Sequence, residues 1–582
     1  MTCFRPPSII LLASLALLPV IAAAQTAAPD AAPATTREMS HAVPVAAAHG
    51  MVAAQEKRAA AVGADVLARG GNAVDAAVAV GFALAVTLPR AGNLGGGGFM
   101  VLHRAGKQPV TIDYRETAPA AVTRDVFLDA QGAADPEKSR ASGLGVGVPG
   151  TVAGLALAHR RYGSGKFTLA ELIAPAIALA RDGFPVEDDL FDSLTLYGAR
   201  LARWPSSARV FLSADGRAPA LGETLRQPDL AQSLEAIARQ GPHAFYRGPI
   251  AEKIVASVAA AGGIMTLADL RGYRPVVRKP VRGSYRGLAI LSMPPSSSGG
   301  ILVVEMLNIL ERFPLGTFGA ASPQALHVMI EAMKLAYADR AEFLGDSDAV
   351  AVPVARLTSK QYAATLATTI DVKRARPSSE INAKGAARGE GDNTTHFSVV
   401  DRFGNAVANT YTLNFNFGVG LVADGTGILL NNELDDFAAK PGAPNAFGLI
   451  GSVANAPGPG KRPLSSMSPT IVLKDGKPIL VTGAPGGSRI ISAVLQVIVN
   501  AVDFGMPIAD AVSAPRVHHQ WMPDEVLAEP ALPADTVVAL KALGHDMRTG
   551  PISGSAHSIA VTPDGMVGVA DGRVRGAAAK GY

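Results

Sequence analysis

The sequence predicts a layered α/β fold, and three observations favour it. Helical patterns dominate from about residue 143 to 345, whereas short strands joined by turns dominate beyond residue 394. A predicted helix over 488–502 carries apolar residues nearly all round, so we expect it to be buried between layers. Both parts carry apolar faces that need a partner, so neither is expected to fold fully alone.

The first part predicts two helices followed by a pair of strands. Four glycines, 95–98, precede the first of these strands. A phosphate-binding P-loop needs a helix with Lys-Ser/Thr after its glycines, so these glycines more plausibly let two backbones approach closely. The predicted bounds are helices over 55–68 and from the Asn72 cap to Pro89, and strands over 99–103 and 110–114.

The middle of the chain is predicted to be mainly helical. Its glycine run at 143–150 has a loose dinucleotide-type spacing but lacks a strand-to-helix context, so a dinucleotide-dependent enzyme is a distant alternative. Three serines, 296–298, lack the Gly-x-Ser-x-Gly pattern of α/β-hydrolases and are interpreted as cap and loop residues. The predicted elements are helices over 168–183, 226–239, 249–261, 300–312 and 323–344, and strands within 281–293.

The last part is predicted to consist of hairpins around one buried helix. Its strands alternate with turns that contain Gly, Asn or Asp, which is the usual hairpin signal. The predicted strands lie over 395–400, 406–413, 469–473 and 478–482, with a further hairpin over 558–571.

Composition and the N-terminus indicate an exported globular protein. Of 582 residues, 48% are hydrophobic, enough for a large core. Residues 1–24 are typical of a secretory signal, with Arg5 before an apolar stretch and small residues before Gln25, so we expect a periplasmic or secreted protein without a stable membrane anchor. The single cysteine, Cys3, lies in this signal, which excludes disulfides and a thiol nucleophile from the mature chain.

Charge argues against a nucleic-acid partner. The formal charge of +4 becomes +3 when Arg5 leaves, which is nearly neutral over this length, and no basic stripe with interleaved aromatics is visible.

A threonine marks the boundary between a polar linker and the strand-rich part. Residues 378–393 have the composition of an exposed loop, and Thr394 stands where the first strand begins. If the chain were cut before Thr394, its hydroxyl and a free α-amine would belong to one residue, which is the arrangement a nucleophilic threonine needs. Alone, this pattern is much more typical of a surface loop that leads into an ordinary strand, and only the surrounding motifs favour the nucleophile.

Seven motifs occur together in this chain: GGNAVDAA at 70–77, DYRETAP at 113–119, NTTHFSVV at 393–400, TYTLN at 410–414, LLNNELDDF at 429–437, KRPLSSMSPT at 461–470 and TGAPGGSRII at 482–491. With them the chain resembles the γ-glutamyltransferases, which belong to the N-terminal-nucleophile hydrolases. The resemblance runs from about Gly50 to Tyr582 and implies a four-layer αββα sandwich (α+β) built from two subunits cut from one precursor.

The resemblance implies a cut between Asn393 and Thr394. It gives a large subunit, 25–393, whose last residues 378–393 form the linker, and a small subunit, 394–582, that pairs with it as a heterodimer. Thr394 would be the nucleophile with its own α-amine as base, and Thr412 would orient it. The backbone N–H groups of Gly486 and Gly487 would stabilise the tetrahedral intermediate.

The resemblance also implies a pocket for an amino-acid head group. Arg115, Ser465 and Ser466 would bind its α-carboxylate, since a guanidinium fork matches a carboxylate. Asn414, Glu433 and Asp436 would accept from its α-ammonium.

Two positions depart from the frequent family pattern. Phe447 stands where a lid tyrosine is common, so gating by a hydroxyl is in question, and Asn393 precedes the nucleophile where other side chains are frequent.

The function implied is a γ-glutamyltransferase that takes glutathione and other γ-glutamyl compounds as donors and amino acids, dipeptides or water as acceptors. No metal or organic cofactor is implied, and the adjacent His518 and His519 are interpreted as structural. A β-lactam or glutaryl acylase on the same scaffold is the nearest alternative. A catalytically silent exported binding protein that never processes is the second.

Overall fold

The computed structural model describes residues 1–2, 41–381, 393–552 and 554–582. The predicted signal, apart from Met1 and Thr2, and residues 382–392 of the linker lie outside the described residues. The helices are α1 (Lys57–Ala68), α2 (Ala73–Thr87), α3 (Pro136–Arg140), α4 (Thr151–Tyr162), α5 (Leu169–Asp182), α6 (Asp188–Ala202), α7 (Pro205–Phe211), α8 (Pro228–Gln240), α9 (His243–Arg247), α10 (Pro249–Ala260), α11 (Leu267–Gly272), α12 (Gly299–Leu310), α13 (Leu315–Phe318), α14 (Pro323–Phe343), α15 (Val354–Leu357), α16 (Lys360–Ala367), α17 (Arg489–Val502), α18 (Ile508–Ser513) and α19 (Ala534–Ala542).

The strands alternate with these helices along the described chain. They are β1 (Pro44–Ala47), β2 (Gly50–Ala54), β3 (Gly97–His103), β4 (Val110–Asp113), β5 (Phe184–Pro185), β6 (Thr224–Leu225), β7 (Val276–Arg278), β8 (Val281–Tyr285), β9 (Leu288–Ser292), β10 (Thr395–Asp401), β11 (Ala406–Thr412), β12 (Val422–Ala423), β13 (Ile428–Leu429), β14 (Thr470–Lys474), β15 (Lys477–Thr482), β16 (Val517–His518), β17 (Val526–Ala528), β18 (Met547–Thr549), β19 (His557–Thr562), β20 (Gly565–Ala570) and β21 (Ala578–Gly581).

Two seven-stranded sheets form the centre of the molecule. The first has the order β21-β2-β10-β11-β3-β4-β7, and the second has the order β1-β20-β19-β15-β14-β9-β8. Both sheets combine strands from before and after Thr394, so each part contributes strands to both sheets. Their facing sides share an apolar core that includes Met51 and Val101 from the first sheet and Ile471 and Ile559 from the second.

A layer of helices covers the outer face of each sheet. The first sheet and helices α1, α2, α4, α5 and α8 bury one large apolar cluster, and the second sheet and helices α12, α14 and α17 bury another. Helix α17 is buried from Ile490 to Asn500, as its apolar composition predicts. The predicted αββα sandwich is therefore confirmed. No helix in the described ranges is both long and apolar enough to cross a membrane.

The four glycines at 95–98 let strands and turns approach without side chains between them. A Cβ on Gly96 would lie 2.1 Å from the Thr412 carbonyl oxygen, and one on Gly98 would lie 2.4 Å from the Tyr411 Cβ. Strand β3 pairs with β11 along its whole length, from Ala406 opposite His103 to Thr412 opposite Gly97. The glycines therefore fix the end of β11, where Thr412 lies.

Strand β2 was not predicted, although it lies between β21 and β10 inside the first sheet. Its sequence, Gly-Met-Val-Ala-Ala, is buried on both faces and has no polar alternation. Such a short apolar run has no periodic signal, so the sequence places only the helix that follows it.

Candidate active site

Thr394 and Thr412 hold the Asn393 carbonyl group between them. Strand β10 begins at Thr395 and β11 ends at Thr412, and their antiparallel register places Thr395 opposite Tyr411. The Thr394 hydroxyl donates to the Asn393 carbonyl oxygen at 2.5 Å, and the Thr412 hydroxyl donates to the same oxygen at 3.1 Å. The two hydroxyl oxygens are 3.5 Å apart. Two hydroxyl groups thus converge on one carbonyl oxygen.

The hydroxyl of Thr412 has a defined direction. The Asn414 N–H donates to its oxygen at 2.9 Å, so the Thr412 proton is free to point towards Asn393. Asn93 fixes the backbone at the same residue because its side-chain amide donates to the Thr412 carbonyl at 2.8 Å. Thr151 in turn donates to the Asn93 side-chain oxygen at 2.6 Å. Every link in this chain is buried.

Asn393 is held from the side away from the threonines. Its side-chain amide donates to the Arg90 carbonyl, and its side-chain oxygen accepts from the Arg90 guanidinium at 3.1 Å. Arg90 is itself paired with Asp189 at 2.9 Å. The residue before the nucleophile is therefore immobilised by side-chain contacts, although the chemistry involves only its carbonyl group.

Gly486 and Gly487 form the turn that joins strand β15 to helix α17. Their φ angles are +127° and +55°, a region of backbone space that favours glycine. Their carbonyl oxygens accept from Arg489 and Ile490 in the first turn of the helix. In the described part of the chain their N–H groups have no acceptor, so these two donors are available to a ligand.

The predicted head-group residues form a buried ionic cluster. One terminal N–H group of the Arg115 guanidinium donates to Glu433 and the other donates to Asp436. The Nε–H group donates to the Pro463 carbonyl at 3.2 Å. Arg115 and Glu433 are each about 1% exposed as side chains, whereas Asp436 is 12% exposed. Asp436 therefore lies on the accessible side of the cluster.

Burial sets the protonation of this cluster. Burial raises the pKa of Glu433 to about 8, although the positive charge of Arg115 opposes this shift. Burial and the negative charge of Glu433 raise the pKa of Glu116 well above its usual range. Burial alone would lower the pKa of Arg115, but Glu433, Asp436 and Glu116 together raise it, so its guanidinium stays charged. At neutral pH the carboxyl groups therefore retain at least one proton.

Ser465 and Ser466 lie on a segment anchored by the serines at 296–298. The Ser465 carbonyl accepts from the N–H and the hydroxyl of Ser298, at 2.9 and 2.7 Å. Arg340 donates to the Ser298 hydroxyl at 3.0 Å and to the Ser466 hydroxyl at 3.4 Å. Burial lowers the pKa of Arg340 to about 10, so this second guanidinium remains positive near the predicted carboxylate pocket.

Asn414 connects the threonines to the acidic segment and to the predicted lid. Its side-chain amide donates to the Asn432 carbonyl at 3.0 Å, one residue before Glu433. The next residue, Phe415, packs edge-on against Phe447, with ring centroids 6.0 Å apart. Phe447 is only 6% exposed, so its ring covers this side of the site.

Three buried side chains away from this site could together hold a metal ion. His327, Glu331 and His545 offer ligand atoms within 4.8 Å of one another. The Lys334 ammonium lies 2.9 Å from the Glu331 carboxylate and balances its charge. The His327 and His545 rings are hydrogen-bonded to each other at 2.8 Å. The other His327 nitrogen contacts the Asp371 carbonyl at 2.8 Å, whereas the buried His545 Nδ1 has no partner among the described residues.

The adjacent histidines form separate hydrogen bonds rather than one ligand set. His518 contacts Ser492 and Gln520, whereas His519 contacts Asp524 and accepts from the Trp521 N–H. Burial lowers the pKa of His518 to about 3 and that of His519 to about 4, so both rings are neutral at physiological pH.

The structure joins the predicted residues into two groups, and it adds residues that the sequence did not indicate. The nucleophile group contains Asn393, Thr394, Thr412 and Asn414. The head-group group contains Arg115, Glu433, Asp436, Ser465 and Ser466, with Gly486, Gly487 and Phe447 placed on neighbouring turns. The added residues are Arg90, Asn93, Glu116, Arg340 and Asn432. Two of them carried a sequence signal, because Glu116 lies beside Arg115 in the motif at 113–119 and Asn432 lies beside Glu433 in the motif at 429–437.

Comparison with known proteins gives one consistent result. The family model described as gamma-glutamyltranspeptidase matches residues 59–581. The glutathione hydrolase proenzyme of Escherichia coli (strain K12) is 52% identical over 553 residues, covering 95% of each chain. A crystal structure of gamma-glutamyltranspeptidase from Helicobacter pylori is 40% identical, with a TM-score of 0.56, and covers 60% of this chain and 97% of that one. A cephalosporin acylase from Bacillus halodurans is 29% identical, with a TM-score of 0.80, and covers 94% of this chain and 99% of that one.

Proposed function

The chain belongs to the γ-glutamyltranspeptidase family, and from its site we propose that it cleaves γ-glutamyl bonds, including that of glutathione, through an ester on Thr394. The acyl group then passes to an amino acid, a peptide or water. One observation carries this proposal: the Thr394 hydroxyl is held against the Asn393 carbonyl, with Thr412 as a second donor to the same oxygen.

Maturation is the first reaction of this threonine. The Thr394 oxygen attacks the Asn393 carbonyl carbon while Thr412 stabilises the charge that develops on the carbonyl oxygen. The C–N bond breaks as the Thr394 nitrogen takes a proton, which leaves an ester between the two residues. Water then hydrolyses the ester and gives the Asn393 carboxylate and a free α-amine on Thr394.

The same residue then acts on substrates. The new α-amine accepts the hydroxyl proton as the Thr394 oxygen attacks the γ-carbonyl carbon of the donor. The N–H groups of Gly486 and Gly487 stabilise the oxyanion, and such a donor contributes about 2.7–4 kcal/mol to lowering the barrier. The leaving amine departs with a proton, and an acceptor amine or water releases the γ-glutamyl group from the ester.

Recognition of the donor rests on the ionic cluster. A γ-glutamyl group ends in an α-carboxylate and an α-ammonium, which match Arg115 on one side and Glu433 with Asp436 on the other. We propose that the substrate α-carboxylate replaces Asp436 on the accessible side of the Arg115 guanidinium. Asp436 then accepts from the substrate α-ammonium. Ser465 and Ser466 add hydroxyl donors, and Asn414 adds a side-chain oxygen.

The two subunits, 25–393 and 394–582, stay paired in this proposal. The end of the first is tied to the second because Asp524 accepts from both the N–H and the hydroxyl of Ser378, at 2.8 and 2.7 Å. The Trp521 indole donates to the Ser378 carbonyl at 2.9 Å. Both subunits also contribute strands to the same two sheets, which adds to this attachment.

We propose export to the periplasm or the medium on the basis of residues 1–24.

A glutaryl or β-lactam acylase is the second candidate, favoured by the structural similarity to a cephalosporin acylase. The buried Glu433 and Asp436 argue against it, because a glutaryl group offers no ammonium and would leave two carboxylates without their partner. Turnover of a γ-glutamyl anilide should therefore exceed that of a glutaryl anilide by about 10²-fold or more. Equal turnover, or a preference for the glutaryl compound, would support the acylase.

A further inference from the structure

Five arginines surround an open pocket on the outer side of the first sheet. The pocket has a volume of about 660 Å³ and lies between α4, α9, the end of α11 and strand β7. No acidic residue lines it. The basic residues around it are Arg160, Arg161, His243, Arg247, Arg271 and Arg274.

These guanidinium groups have no carboxylate partner within the described ranges of the chain. Arg274 donates only to the carbonyl oxygens of Arg271 and Tyr273, at 2.8 and 2.6 Å. Several exposed arginines elsewhere are paired with a carboxylate, for example Arg203 with Glu137 and Arg209 with Asp424. Five like charges around one cavity repel each other, and a bound anion would remove that repulsion.

The floor of the pocket is rigid before any ligand binds. The rings of Tyr246 and Tyr273 stack at 5.8 Å with 7° between their planes. The Tyr246 hydroxyl donates to the Pro149 carbonyl and the Tyr273 hydroxyl donates to the Arg115 carbonyl, both at 2.9 Å. Binding therefore needs no rearrangement of the floor, so its entropic cost is confined to the ordering of the arginine side chains.

We propose that this pocket binds anions that carry several phosphate groups. The planar guanidinium fork forms paired hydrogen bonds with phosphate oxygens, and five such forks match a ligand with several negative charges better than a single phosphate. The volume lies within the range of small-molecule sites. A free oligophosphate and the headgroups of an anionic phospholipid surface present the same chemistry.

Isothermal titration calorimetry with inorganic tripolyphosphate at low salt tests whether the pocket binds a free oligophosphate. The pocket variant is Arg160→Gln with Arg247→Gln, and the matched control is Arg226→Gln with Arg312→Gln, two exposed arginines outside the pocket. We expect saturable one-to-one binding by the wild-type protein and the control, and at least about tenfold weaker binding by the pocket variant. Unchanged processing and turnover of a γ-glutamyl anilide verify that both variants are folded.

Vesicles of phosphatidylglycerol in phosphatidylcholine test the second source by co-sedimentation with the same three proteins. If the wild-type protein binds vesicles but not tripolyphosphate, and the pocket variant does not bind vesicles, the ligand is a lipid surface. Affinity for tripolyphosphate that the pocket variant loses assigns them to a free ligand. Absence of both interactions in the wild-type protein, or equal binding by the pocket variant, would overturn the proposal.

Discussion

The nucleophile group and the head-group cluster are built in different ways. Thr394 and Thr412 are placed by the register of β10 and β11, and their contacts are short hydrogen bonds among neutral groups. Arg115, Glu433 and Asp436 come from distant loops and are placed by charge. The first group is therefore fixed by backbone geometry, whereas the second is held by the contacts of one guanidinium with two carboxyl groups, contacts that the proposed zwitterionic donor would replace.

Replacing the nucleophile should have the largest effect. We expect Thr394→Ala to stay uncut and to lose about 10⁴-fold or more in kcat, because neither ester can form. Gel electrophoresis and turnover of a γ-glutamyl anilide measure both outcomes. Thr395→Ala is the control, since that hydroxyl is not part of the proposed chemistry, and it should still be cut. Activity in Thr394→Ala would exclude this threonine as the nucleophile.

Arg115→Lys should break the head-group cluster while leaving the threonines intact. Lysine keeps the charge but cannot bond two carboxylates in a fixed fork, so we expect kcat/KM to fall by about 10²-fold, mainly through KM. Processing should be normal, because Arg115 does not contact Asn393 or Thr394. An uncut Arg115→Lys protein that is otherwise folded would show that the two groups are not independent.

Comparison of Gly487→Ala with Gly505→Ala distinguishes the effect of backbone strain on stability from the loss of a proposed oxyanion donor. The two glycines flank α17 and have similar φ angles, +55° and +60°. Each alanine should destabilise the protein by about 1–2 kcal/mol, measured by denaturant unfolding. Only Gly487→Ala should also lower kcat, by roughly tenfold or more, because it displaces a proposed oxyanion donor. Equal kcat values for the two variants would remove Gly487 from the mechanism.

The pKa of Glu433 predicts a pH-dependent KM. Burial raises this pKa to about 8, so below that pH the side chain is neutral and attracts the substrate ammonium weakly. As the pH rises through 8 the carboxylate forms, and KM for a γ-glutamyl anilide should fall by about tenfold. In Glu433→Gln this change in KM should be absent, whereas changes in KM caused by titration of the substrate amine should remain. The same pH profile in both proteins would contradict the assignment.

The smallest effect is expected at Phe447. Phe447→Tyr adds a hydroxyl to a ring that already covers the site, and one hydrogen bond contributes about 1 kcal/mol. We expect the ratio of transfer to hydrolysis to change by no more than about fivefold, measured with a dipeptide acceptor, and processing to be unchanged. A larger change would mean that the lid hydroxyl controls access of water.

The sequence predicted most of the fold, for identifiable reasons. Helices such as α14, with its Ser322 cap and Pro323, have local signals that the structure reproduces. Strand β2 has none, because a short run buried on both faces lacks periodicity.

The site residues came from a resemblance between motifs rather than from local physics. The contacts of Asn93 and Arg340 were not predictable in this way. Asn93 reaches Thr412 across 319 positions of the chain and Arg340 reaches Ser466 across 126, so their roles exist only in the folded protein.

Intact mass measurement with N-terminal sequencing of the purified protein tests the role of Thr394 most directly. We expect two chains, with the smaller one beginning Thr394-Thr395-His396. A single uncut chain that still turns over γ-glutamyl compounds, or a cut at another position, would contradict the proposed nucleophile.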